Sequence, residues 1–120
     1  MRKPTSKITK RAPRSGRRAA APSLRYEDWL IEWLKEPAEA AAFLEAVIEE
    51  GDQAAIMLAL RQVALARGGI AQIARKAKLT REATYKMLSR SGNPELRSLT
   101  SVLRATGLRI SVKPIEKRAA

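Results

Sequence analysis

Arg81, Glu82, Tyr85, Lys86 and Ser89 fall on one side of a helix spelled by the run Leu79 to Ser89. Together they offer a guanidinium, a carboxylate, a phenol, an ammonium and a hydroxyl, which suits recognition by hydrogen bonding rather than bond making. Leu79, Ala83, Met87 and the pair Thr84/Leu88 fall at helical spacing on the other side and can pack. Thr80 offers an N-cap oxygen to this helix. Just upstream, Gly69 to Ala77 reads as another short helix with Ile70, Ile73, Ala74 and Ala77 inward, and Lys78-Leu79 makes the turn. Ala74 is small where the two helices must approach closely. One face held on the domain and one left free is the pattern of a helix-turn-helix, whose second helix enters a DNA major groove.

Composition agrees. The chain has 120 residues, which predicts one domain. Its 24 Lys and Arg against 12 Asp and Glu give a formal charge of +12, the balance of a small protein that meets a polyanion. Apolar residues make up 45% and aromatic ones only 4%, which suits a helical core of Leu, Ala, Ile and Val. Cys and His are absent. That removes disulfides, thiolate and imidazole metal sites, and every catalytic triad needing His as base. Carboxylate pairs such as Glu49/Glu50 have no companion Gly-rich loop or ligand set, so no enzyme, metal or cofactor is expected. No apolar run approaches the roughly 20 residues that span a bilayer, and no secretory apolar segment follows the basic N-terminus. A cytoplasmic protein without a membrane partner is expected.

Charge divides the chain. Residues 1–22 hold eight basic residues and no acidic one. With Pro4, Pro13, Gly16 and Pro22 they read as a disordered basic arm that could follow phosphates. Residues 23–60 hold nine acidic and two basic residues, and residues 61–120 hold fourteen basic and three acidic. Helix one starts near Ser23 or Glu27 and ends near Lys35, with Leu24, Trp29, Leu30, Trp33 and Leu34 on its apolar side. Pro37 opens helix two, which carries Phe43, Leu44, Val47 and Ile48, and Gly51 closes it. Asp52 caps helix three, which buries Ala55, Ile56, Leu58, Ala59, Leu60, Val63, Ala64 and Leu65. After the helix-turn-helix, Asn93 caps a last helix with Pro94 at its first position. Leu96, Leu99, Val102 and Leu103 point inward there, and Gly107 stops it. Arg109-Ile110-Ser111-Val112-Lys113 alternates like a strand, one that would pair with a second subunit or a partner's edge strand.

From about Tyr26 to Val112 the chain resembles the antidote proteins of bacterial addiction modules, the HigA-like group with a Cro/phage-repressor type helix-turn-helix. The landmarks are Tyr26, Trp29-Leu30 and Leu34-Lys35-Glu36-Pro37, then Ala40 to Ala46, Glu50-Gly51-Asp52 and Ala64 to Gly69. Leu79 to Ser89, Gly92-Asn93-Pro94 and Leu108 to Val112 complete the set. Two positions depart from the pattern. Lys78 stands where a turn of positive φ usually takes Gly, and Thr84 stands where a larger apolar residue is usual.

The resemblance implies a type II antitoxin that binds a RelE/ParE-like toxin and represses its own operon, on an all-α, lambda-repressor-like bundle with a short C-terminal β-strand. Gln72 would meet a phosphate and brace the reading helix, whose cap Thr80 is itself a candidate DNA contact. Arg81, Glu82 and Tyr85 would face base edges, Arg preferring guanine O6/N7 and Glu accepting from cytosine N4. Lys86, Ser89, Arg90 and Asn93 would lie toward the backbone and position. A homodimer on double-stranded operator DNA fits two half-sites about one helical turn apart.

The acidic middle would repel phosphates and therefore faces away from DNA. A basic toxin suits it, and Trp29, Trp33, Glu45, Glu49 and Glu50 are the candidate toxin contacts. The expected layout is a basic arm at 1–22, toxin-binding helices at 23–67, a DNA-binding part at 68–108, a strand at 109–113 and a tail at 114–120. Two other readings share these features: a stand-alone phage-type regulator without a toxin, and a basic protein that binds nucleic acid without sequence preference.

Overall fold

A computed structural model describes residues 22–116. The arm expected at 1–22 lies outside the described residues except for Pro22. Six α-helices follow in order: α1 (Pro22–Trp33), α2 (Pro37–Glu50), α3 (Gln53–Ala66), α4 (Ile70–Ala77), α5 (Arg81–Met87) and α6 (Leu96–Thr106). Helix α1 belongs to one unit, and residues from Leu34 onward form a second.

The caps of the second unit follow from its sequence. Pro37 sits in the first turn of α2, where its missing N–H costs nothing. Gly51 ends that helix at φ 82°, in the left-handed region that a Cβ disfavours. Asp52 stands at the N-cap of α3, with no hydrogen bond from its side chain. Between α3 and α4 the chain bends by 94°. That bend frees α4 to pack on α3, α5 and α6 together, while α2 packs on α3. Ile73 and Ala74 of α4, Val63 and Ala64 of α3, Val102 of α6 and Leu88 after α5 are all buried.

Arg67 ties the ends of these helices. It is the C-cap residue of α3. Its Nε donates to the Thr106 carbonyl at 2.8 Å and its Nη1 to the Lys35 carbonyl. A cation on the last carbonyls of α6 also meets the negative end of that helix dipole.

The structure corrects several expectations. There is no strand at 109–113: among the described residues no strand forms at all, and 109–116 run exposed. Alternation marks a segment that could pair, but a ladder needs a second strand, and none lies among the described residues. Asn93 is not a helix cap, since α6 begins at Leu96 with Glu95 in extended backbone at its N-cap. The Gly92 carbonyl accepts from Gln53 Nε2 at 3.0 Å, which holds this stretch as a loop against the start of α3. Leu96 is therefore exposed, not inward, and Ala83 is exposed as well. Leu58 and Leu65 also face out, at 52% and 41% exposure, while Gln62 and Met57 are buried. Helix α3 is apolar nearly all round, so period alone leaves its inward side open. Ile48 of α2 is likewise exposed. No single helix among the described residues is long and apolar enough to cross a membrane.

Candidate nucleic-acid interface

The turn between α4 and α5 is built by three residues. Lys78 takes φ 61° and ψ 41°, the one non-glycine of positive φ among the described residues. The Leu79 N–H then bonds back to the Ala74 carbonyl at 2.9 Å, closing the end of α4. Thr80 follows in extended backbone, and its Oγ1 accepts from the Ala83 N–H at 2.9 Å. Its carbonyl accepts from the Thr84 hydroxyl at 2.8 Å. Thr84 is fully buried, and this bond satisfies the polar atom that its burial would otherwise strand. A hydroxyl thus replaces the larger apolar residue expected of the family, and it pins the first turn of α5.

Helix α5 turns its other side outward. Arg81, Glu82, Tyr85 and Lys86 are all exposed, as the spacing predicts. The Arg81 guanidinium lies 5.9 Å from the Tyr85 ring centre. A second guanidinium, that of Arg61 on α3, lies 5.8 Å from the same ring. Both are at cation–π distance. Arg61 is absent from the residues that sequence reasoning selects. Its signal is nevertheless present: it is the one charge in the run Ala54 to Ala66, so it must sit outward.

Lys86, Ser89 and Asn93 line one groove beside α5, with Ala83, Met87 and Ser98. Ser89 donates its hydroxyl hydrogen to the Lys86 carbonyl at 2.8 Å, which leaves its oxygen lone pairs for an outside donor. Arg90 is exposed in the loop that follows. Gln72 sits half-buried in the first turn of α4, with its side chain against Gly68. A Cβ added to Gly68 would stand 2.9 Å from Gln72 Oε1. The turn thus brings Arg81 and Tyr85 together with Arg61, and gathers Lys86, Ser89 and Asn93 separately.

The candidate toxin contacts fall in both units. On α1, Trp29 and Trp33 stack with ring centres 5.6 Å apart and planes 9° from parallel, and Tyr26 lies 5.9 Å from Trp29. All three rings are exposed, so this stripe is not core. On α2, Glu45, Glu49 and Glu50 are exposed. Glu45 pairs with Lys113 of the C-terminal segment at 3.3 Å. Glu45 and Glu49 line a groove that this segment borders with Pro114 and Ile115. No group of His, Cys, Asp or Glu among the described residues could hold a metal ion.

These features describe a small helical protein with an exposed polar helix and an acidic helix. The chain belongs to the family described as probable addiction module antidote protein, whose model matches residues 28–114. That span holds every candidate contact named above. A relative from Haemophilus influenzae, named only as an uncharacterized protein, is 35% identical over 84 residues, 70% of this chain and 86% of the relative. No solved structure matches the chain. An antidote has a toxin as its counterpart, so the family implies a cognate toxin partner.

Proposed function

We propose that this protein is the antitoxin of a type II toxin–antitoxin module, which neutralises a RelE/ParE-like toxin by binding and represses its own operon. Membership of the antidote family over 28–114 is the observation that carries this reading. It acts by complex formation and has no catalytic task. Helices α4 and α5 serve as a helix-turn-helix, and the exposed side of α5 lies in the major groove of operator DNA. Arg81, Glu82 and Tyr85 address base edges, while Gln72, Lys86, Ser89, Arg90 and Asn93 position the protein on the backbone. Two copies bind two half-sites as a homodimer in the cytoplasm. The reading is supported by the left-handed turn at Lys78, the Thr80 cap and the exposure of Arg81, Glu82, Tyr85 and Lys86.

The toxin takes the part at 23–67. Stacked exposed tryptophans supply apolar area at little entropic cost, and the α2 carboxylates attract a basic partner. Glu49 and Glu50 are the better electrostatic contacts, because Glu45 already holds Lys113.

The test is to express the neighbouring small gene alone and together with this protein, then to purify from the second culture. Growth arrest relieved by this protein, with a stable complex recovered, is the expected result. Glu49→Lys with Glu50→Lys should weaken that complex and leave binding to the DNA upstream of the operon intact. Absence of toxicity and of any complex would overturn the antitoxin reading and leave a lone regulator.

A further inference from the structure

We propose that Arg61 extends the nucleic-acid face onto α3, taking a backbone phosphate beside the bases addressed by α5, with Tyr85 holding the Arg61 and Arg81 guanidiniums in register. The inference rests on the DNA-binding role given to α5 and adds a contact from outside the two helices of the motif. Its basis is one exposed ring flanked by two cations, Arg61 at 5.8 Å and Arg81 at 5.9 Å. Among the described residues neither guanidinium has a carboxylate partner. An anion beside either guanidinium gains a charge-assisted hydrogen bond that the free protein does not make with a carboxylate of its own. A guanidinium laid on an aromatic ring loses rotamer freedom before the ligand arrives, and its fork matches phosphate oxygens. Arg81 opens α5 and points with it. Arg61 comes from α3, a helix outside the motif, so it meets the strand at the groove edge and not the bases. Tyr85 is thus a positioning residue as well as a candidate base contact.

The experiment measures affinity of the full chain for a mixed-sequence 24-bp DNA duplex at 50 and 200 mM NaCl. Each phosphate contact contributes about 0.9 to the slope of log affinity against log salt, so losing one should lower the ratio of the two affinities about 3.5-fold. Arg61→Ala should show that loss, and Arg61→Lys should restore the slope. Tyr85→Ala, which leaves net charge unchanged, should lower the ratio too, whereas Tyr85→Phe, which keeps the ring but loses the hydroxyl offered to base edges, should retain the salt slope even where affinity falls. A wild-type slope for Arg61→Ala would overturn the inference while leaving α5 as the reading helix. A wild-type slope for Tyr85→Ala alone would overturn the positioning role of the ring. Failure of the wild-type chain to bind the duplex at 50 mM salt would remove both the inference and the DNA-binding reading beneath it.

Discussion

Replacing Lys78 by glycine should stabilise this protein, although it removes a charge and adds no contact. Lys78 holds φ 61° and ψ 41° at the end of α4. A residue with a Cβ is disfavoured there by roughly 1–2 kcal/mol, because the Cβ crowds the following carbonyl. Glycine escapes that crowding but loses roughly 0.5–1 kcal/mol more backbone entropy on folding. The difference favours Gly by about 0–1.5 kcal/mol, with a midpoint of ~0.75 kcal/mol. The lysine side chain is exposed, so no packing is lost. The backbone bonds that close the turn, Lys78 N–H to Arg75 and Leu79 N–H to Ala74, do not depend on the side chain. For a domain of this size the midpoint corresponds to a rise in Tm of about 3–6 °C. Thermal unfolding followed by circular dichroism measures it, with Lys78→Ala as the control. Alanine loses the same charge at the helix end but keeps its Cβ, so only glycine should raise Tm. Equal Tm values for the two variants would refute the claim that Lys78 is held in a disfavoured conformation.

Three further outcomes follow from the packing. Arg67→Met removes the bonds to the Thr106 and Lys35 carbonyls and should cost about 1.5–3 kcal/mol in urea unfolding. Gly92→Ala should cost about 2–3 kcal/mol, because the new Cβ would sit 2.0 Å from the Met87 carbonyl oxygen. Glycine is needed at 92 for room, not for backbone freedom, so Gly92→Ser should fare no better. Thr80→Ala should cost about 1 kcal/mol through the lost cap and should speed hydrogen exchange at the Ala83 amide, which that cap protects.

The division of labour proposed for this chain follows its charge map. Acidic residues crowd α1 and α2, and basic residues dominate from Arg61 onward. The basic residues suit a polyanion and the acidic residues of α2 suit a basic protein, each meeting a partner of opposite charge. The Glu45–Lys113 pair crosses this map by bringing a basic residue of the C-terminal segment to α2. Both side chains are well exposed, so the pair contributes little to stability. It does lower the charge that Glu45 can present to a partner.

Local chemistry made much of this protein legible in its sequence. Pro37, Gly51, Thr80 and Gly107 mark helix ends wherever they stand, because missing donors, positive φ and hydroxyl caps act over one turn. The left-handed turn at Lys78 is different: its positive φ is expected from the family resemblance and not from the residue itself, which is not glycine. Positions that depend on a distant neighbour were not legible. Leu58 and Leu65 read as core because α3 is apolar on most sides; packing of α3 against α2 and α4 buried Gln62 instead. Residues 109–113 alternate like a strand, yet strand formation requires a second chain segment, and the fold offers none among the described residues. Arg61 and Tyr85 lie far apart in sequence, and only the 94° bend after α3 that seats α4 and α5 brings them to 5.8 Å. Sequence by itself determined the helices, their caps apart from that of α6, and the outward set on α5, since these rest on interactions within one or two turns. Tertiary structure alone decided which side of an all-apolar helix is inside and which cations share a ring, since those rest on contacts between helices that no local pattern encodes.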